Sequence, residues 1–300
     1  MKITFTADCH LDFLSDPVKD VEKFAKHIMD KEEPDVFCIG GDMLNSGLSD
    51  NPPSLHRILS FHPETLFVLG NHDLWSDGMR GRPKLNPDDA LVKYQEKFFK
   101  WGIPLEKSSV DLDTIYRKEN CVFVGAMGFP DFKNPKLTNP VEYYDRNGCT
   151  NDLEYIKLSL GWLHYTLPMQ EAFFARLDKA LSTDAKNIIV ITHCGIFETQ
   201  CHFTGEHISA YFFNHTMGQH ILDKAKEHPD KKFWCLSGHS HEYCRGVLKM
   251  EAENVYAFGL STYYEQLSLM TFDPDLDINQ DWHRLVIVDR QTKWMNPMHF

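Results

Sequence analysis

Short uninterrupted runs of β-branched, aromatic and other apolar residues recur at 3–7, 36–39, 65–69, 121–124, 188–192 and 233–236, and each gives way to Gly, Asp, Asn or His. A strand wetted on one side alternates apolar with polar positions, so runs without alternation predict strands covered on both faces. Between the first two runs Asp16 stands at a cap position, Pro17 suits a first turn, and Val18, Val21, Phe24, Ala25, Ile28 and Met29 recur at helical spacing before Pro34. A β-α-β opening is predicted. Further helices are predicted over about 168–181, with Phe173, Phe174, Leu177 and Leu181 on one face, and over 216–226.

From Tyr243 onward the pattern changes to short strands at 246–250, 255–258 and 285–288, separated by turn-rich spacers such as Asp273-Pro274-Asp275. This predicts an antiparallel addition. Without repeats or an evident linker, the expected organisation is a single domain over residues 1–300, with an inserted segment over about 127–186.

Composition narrows the setting. With 300 residues, 42% hydrophobic and 25% charged, the chain can bury a large core, and no apolar stretch reaches the length of a membrane span. The first residues carry no long apolar core of a secretory signal, and none of the eight cysteines forms a Cys-x-x-Cys pair, so a reducing, cytoplasmic location is expected. A net charge of −12 disfavours binding to long nucleic acid through its phosphates.

The candidate chemistry lies just past the apolar runs: Asp8-Cys9-His10, Gly41-Asp42, Gly70-Asn71-His72-Asp73, Thr192-His193 and Gly238-His239-Ser240-His241. Groups at the carboxyl ends of neighbouring strands in an open α/β sheet converge on one crevice. Asp8 and Asp42, His10, His193, His239 and His241, and the Asn71 amide oxygen make a mixed N/O donor set suited to Mn, Fe or Zn. It is too large for one tetrahedral ion, so two ions are implied.

In content and order these blocks resemble the calcineurin-like metallophosphoesterases, whose signature runs D-x-H, G-D, G-N-H-[DE], a later His, and G-H-x-H. The resemblance implies a four-layer α/β/β/α sandwich. It assigns Asp8, His10, Asp42 and His241 to one metal, and Asp42 as shared bridge, Asn71, His193 and His239 to the other. It also implies hydrolysis of a small or nucleotide-type phosphomonoester or phosphodiester by in-line attack of a metal-bridging hydroxide, with His72 assisting the leaving oxygen rather than binding metal. The metals would be a divalent or mixed-valence pair of Mn, Fe or Zn.

The block around Asp42 lacks the Asp and Arg that follow in Ser/Thr phosphatases, and Asn45 stands where purple acid phosphatases carry a Tyr ligand. Both branches are disfavoured, and what orients His72 is open, as is any partner for Asp73. Trp75, Arg80 and Arg82 suit a nucleotide or phosphate, with a solvated loop as the plainer alternative. The ring-rich stretch from Cys201 through His202, Glu206, His207, Tyr211 and His215 could rim a pocket or simply pack. His27, His56, His164 and His283 are assigned no role. A nuclease of the same superfamily and a non-catalytic scaffold are the competing readings; a scaffold has no need to keep Asp42, Asn71 and His72 together.

Overall fold

Period-two sorting of the strand residues builds two sheets. In the computed structural model, which describes residues 1–45, 52–75, 81–98, 100–108, 110–146, 151–200, 210–241, 248–249, 252–260, 267–276 and 284–288, the elements in chain order are β1 (Ile3–Thr6), α1 (Pro17–His27), β2 (Val36–Gly40), α2 (Pro53–Ser60), β3 (Thr65–Val68), α3 (Asn71–Leu74), α4 (Pro87–Phe98), β4 (Ile103–Pro104), β5 (Tyr116–Lys118), β6 (Cys121–Ala126), α5 (Val141–Arg146), α6 (Asp152–Tyr155), α7 (Leu163–Leu181), β7 (Asn187–Thr192), α8 (His215–Glu227), β8 (Lys232–Ser237), β9 (Leu248–Lys249), β10 (Val255–Gly259), β11 (Leu267–Phe272) and β12 (Arg284–Val288). The six predicted strands all form, within a residue or two of the expected ends.

One sheet runs β12-β11-β1-β2-β3-β4 and the other β5-β6-β7-β8-β10-β9. Ile3, Phe5, Val36, Cys38, Leu66 and Val68 of the first sheet pack with Phe123, Ile189, Ile191, Trp234 and Leu236 of the second. The alternate residues Phe37, Ile39 and Phe67 face α1, α2 and α4, while Val122, Val124, Ile188, Val190 and Phe233 face α7 and α8. Each central strand is therefore apolar on both sides, and the order of layers is helix, sheet, sheet, helix, the expected four-layer α/β/β/α sandwich.

α1 is capped by the Asp16 side chain, which accepts the Lys19 N–H at 3.4 Å. α7 begins before the predicted Pro168: Asp145 accepts the Leu163 N–H at 2.7 Å and starts the helix, leaving Pro168 inside it. Pro168 disrupts one carbonyl near the helix start, where an external cap is already in place. The interval 127–186 connects the parallel neighbours β6 and β7 and brings α7 back onto β6.

The C-terminal expectation needs correction. β11 pairs antiparallel with β1, β12 with β11 and β9 with β10, as expected, but β10 also joins the second sheet parallel to β8. β11 had no predicted counterpart because Ser268 and Thr271 interrupt its apolar run. Both are buried, and Thr271 Oγ1 meets Thr4 Oγ1 across the strand pair at 2.8 Å. The unpredicted α2 and α4 are also amphipathic, burying Leu55, Ile58 and Leu59, and Ala90, Leu91, Tyr94 and Phe98.

The sheets pack tightly at Gly125 of β6, where an added Cβ would lie 2.6 Å from Val68 Cγ1 and 2.7 Å from Leu105 Cβ. Gly125→Ala is expected to destabilise the fold by about 1–3 kcal/mol through overpacking, measured as a fall in the urea midpoint at unchanged slope.

Candidate metal centre

Every candidate ligand follows the C-terminal end of a parallel strand: Asp8 and His10 after β1, Asp42 after β2, Asn71 after β3, His193 after β7, and His239 and His241 after β8. Loop backbones are laced together before any side chain takes part. Asp8 N–H donates to Gly41 O at 3.0 Å, His10 N–H to Asp42 O at 3.0 Å, and Gly238 N–H to His193 O at 3.0 Å. The last of these joins the ends of β7 and β8.

Asp8, His10, Asp42, His239 and His241 all adopt left-handed backbone, with φ of 51°, 37°, 49°, 70° and 50°. Such conformations cost a non-glycine residue about 1–2 kcal/mol each, so the surrounding hydrogen bonds must hold them. Among the described residues, only Glu33, Glu119 and Phe132 are other non-glycine residues with positive φ. This concentration marks the loops as a functional site. Gly70 is required by close approach, since a Cβ there would meet Asp42 Oδ1 at 2.1 Å.

The side chains form two donor sets, Asp8, His10, Asp42 and His241, and Asp42, His193 and His239, with the donor atoms of each set within 4.8 Å of one another. Asn71 joins the second, its Oδ1 2.9 Å from His193 Nε2. The sets meet at Asp42, which is fully buried. Its Oδ1 accepts the His72 N–H at 2.9 Å. Its Oδ2 lies 3.3 Å from His193 Nε2, 3.9 Å from His10 Nε2 and 4.0 Å from His72 Nε2, yet makes no aligned hydrogen bond. A buried carboxylate oxygen left in this state costs several kcal/mol unless a cation completes it. The residues fit a metal pair on this observation and on their mixed imidazole, carboxylate and amide chemistry.

The electrostatics agree. Burial drives the Asp8 carboxyl upward, only partly offset by His241 and His193. Burial also favours the neutral Asp42, but the surrounding imidazoles His193, His72 and His10 outweigh it and bring Asp42 well below the carboxylate range. Burial holds His10 well below its usual value and His239 at about 3, leaving both neutral with lone pairs available. For His193, burial is overcome by the charges of Asp42 and Asp8, which raise it to about 9. Without a cation, Asp42 takes its counter-charge from His193.

His72 belongs to neither donor set. Its ring stacks on Trp75 with centroids 3.6 Å apart and planes at 28°, and its Nδ1 lies 3.4 Å from the Asn45 carbonyl oxygen. Asn45 therefore contributes its backbone where a Tyr ligand was absent by sequence. Asp73 also has its partners: Oδ1 accepts the N–H groups of Met43 and Leu44 at 3.0 and 3.3 Å, and Oδ2 that of Gly70 at 2.9 Å. It clamps the Asp42 loop to the Asn71 loop. Burial, aided by the Asp42 charge, pushes this carboxyl up to about 8 against the pull of the Gly70 and Leu44 amides.

Other expectations divide. Trp75 is buried against His72 and Tyr155 rather than open to a substrate, and Arg82 is exposed. Arg80, Cys201, His202, Glu206, His207 and His283 lie outside the described residues. Tyr211 is buried and presents its backbone oxygen to His239 Nε2 at 3.2 Å, while His215 starts α8. His27 pairs with Glu32 at 3.1 Å, His56 packs on Trp101 and His164 on Tyr165.

Two buried carboxylates had no motif to announce them. Glu106 accepts the Met127 N–H at 2.9 Å where the chain leaves β6 and lies 3.7 Å from the buried Arg176. Asp152, from α6, contacts Asn71 and Trp75. Only the chain's return through the 127–186 interval brings Asp152 to the site.

No sequence among curated proteins matches this chain. Among solved structures, the fold is similar to that of phosphopantetheinyl hydrolase from Mycobacterium tuberculosis, with 13% identity over 88% of this chain and 90% of that one, and a TM-score of 0.59. It is also similar to a 5'-nucleotidase from Candida albicans, with 13% identity, 96% of this chain and 51% of that one covered, and a TM-score of 0.46. At 13% identity the likeness to the phosphopantetheinyl hydrolase is one of fold. The family model for calcineurin-like phosphoesterases, however, matches residues 1–243, across every block that supplies the two donor sets. The chain belongs to the calcineurin-like phosphoesterase family and is a metal-dependent phosphoesterase.

Proposed function

We propose that the chain hydrolyses small or nucleotide-type phosphoesters, monoesters or diesters, with two metal ions held across Asp42. The observation that carries this reading is the buried Asp42 Oδ2, without an aligned hydrogen bond and faced by His193 on one side and His10 on the other. Asp8, His10, Asp42 and His241 would hold one ion, and Asp42, Asn71, His193 and His239 the other. When bound, a Mn, Fe or Zn pair supplies Lewis-acid activation of the phosphoryl group and of the attacking water.

The chain's own residues supply orientation and proton transfer. Asp73 keeps the Asp42 and Asn71 loops at a fixed separation through three backbone N–H groups. The Asn45 carbonyl accepts a hydrogen bond from His72 Nδ1–H, leaving Nε2 directed to the Asp42 side of the site, where it can serve the leaving oxygen as acid or charge stabiliser. Assembly of all the ligands favours catalysis over a scaffold role. The net charge of −12 favours a small substrate over a long polynucleotide.

We further place the chain in a reducing cytoplasm, supported by five buried free cysteines among the described residues. Among those residues no helix is long and apolar enough to cross a membrane.

His72→Ala is expected to keep two ions per chain by elemental analysis and to lose about 10²–10⁴-fold in kcat, whereas Asp42→Asn loses metal as well. A His72→Ala protein stripped of metal would contradict these roles. Because the Asp42 and Asp8 charges raise His193 to about 9, a cation binding near neutral pH must displace its proton. Calorimetry in buffers of differing ionisation enthalpy should show about one proton released per chain, with Mn2+ affinity rising as pH increases towards about 9 and levelling above it. Binding without proton release would refute this coupling. The Mn2+ form is expected to turn over p-nitrophenyl phosphate or bis-p-nitrophenyl phosphate; vigorous DNA cleavage without small-ester activity would favour the nuclease reading.

A further inference from the structure

Asn71 has two chemically opposite ends, and only one of them suits a cation. Its Oδ1 points towards His193 Nε2 and its Nδ2 donates to Asp152 Oδ1 at 2.9 Å. Turned over, the amide would present N–H groups to the cation and set its carbonyl oxygen against the Asp152 carboxylate, so both ends would be repelled. Asp152 thus selects the amide orientation. It sits 81 residues further along the chain and is 4% exposed.

The same Asp152 oxygen accepts the Trp75 indole N–H at 2.5 Å. Trp75 is the plate on which the His72 imidazole stacks, and its other ring neighbour Tyr155 comes from the same short helix as Asp152. One buried carboxylate therefore touches the supports of two different tasks: an oxygen ligand for the second cation and the ring beneath the leaving-group imidazole.

We propose that Asp152 is a positioning residue for both halves of the site, holding the Asn71 oxygen towards the second cation and anchoring Trp75 against His72. The proposal rests on the two-cation reading given above. It assigns a catalytic support to the 127–186 interval, which carries none of the family's motif blocks.

The test uses the full chain loaded with Mn2+, followed by electron paramagnetic resonance, Mn2+ titration and bis-p-nitrophenyl phosphate hydrolysis. The unaltered protein is expected to show an exchange-coupled Mn2+ pair. Asp152→Ala is expected to show isolated Mn2+ at matched loading, with the second ion weakened by about 10–100-fold, the first ion unchanged, and kcat lowered with KM little altered. Trp75→Phe, which keeps a ring but removes the indole N–H, is expected to retain the coupled pair and lose kcat alone. Leu181→Ala, at the buried C-terminal end of α7 and outside the packing between the sheets, serves as the control for lost stability, and is expected to retain both the coupled pair and kcat at temperatures where it is folded.

If Asp152→Ala fails to fold, Asp152→Asn carries the same test: it keeps an oxygen acceptor without the charge, and is expected to recover part of the second-ion affinity. Unaltered second-ion affinity together with unaltered kcat in either folded Asp152 variant overturns the positioning role while the two-cation reading stands. An unaltered protein that binds a single Mn2+ overturns both, and so separates the two failures.

Discussion

A carboxylate with no exposed surface and one oxygen lacking an aligned hydrogen bond is the constraint around which this molecule is arranged. Asp42 uses one oxygen to accept the His72 N–H and leaves the other facing imidazoles from both sides of the crevice. In a low-dielectric interior that arrangement is unfavourable unless positive charge faces it, from the His193 proton when no cation is bound or from cations that displace it. The protein can maintain it because Asp42 sits on a loop secured from both directions. Asp73 grips the next two amides, Met43 and Leu44, and the β1 loop bonds to the Gly41, Asp42 and Met43 carbonyls. The left-handed backbone at Asp8, His10 and Asp42 is held by the same lacing, and the His239 N–H donates to the Asp8 carboxylate.

The two sheets explain why such a site can exist at all. Ligands come from the ends of β1, β2 and β3 in one sheet and of β7 and β8 in the other. Neither sheet alone carries a complete donor set: Asp8, His10 and Asp42 need His241, and His193 and His239 need Asp42. Packing of Phe5, Val68, Ile191 and Leu236 between the sheets therefore sets the spacing of the metal donors as well as contributing to stability.

Much of this was legible in the sequence, for local reasons. Strands covered on both faces produce apolar runs with no alternation, and their C-terminal ends are where the polar clusters stand, so strands and candidate ligands could be identified together. What escaped depends on contacts distant in sequence. β11 hides two buried hydroxyl residues, Ser268 and Thr271, and the Thr271 hydroxyl is satisfied by Thr4 on the neighbouring strand, 267 residues away in sequence. The parallel direction of β10 follows from its lying beside β8, which no turn signal between them encodes. Asp152 and Glu106 look like ordinary surface carboxylates in sequence; Asp152 is brought against Asn71 and Trp75 by the chain's return over the site, and Glu106 is met by Met127 and by Arg176 of α7. The support of His72 was missed for another reason: Asn45 acts through its backbone oxygen, for which side-chain identity gives no sign.

The account stands on two cations meeting at Asp42. Anomalous diffraction at the manganese edge from crystals of the Mn2+-loaded protein tests it most directly. Two peaks separated by about 3.5–4 Å, both within bonding distance of the Asp42 carboxylate, are predicted. A single peak, or a pair that does not share Asp42, would contradict it.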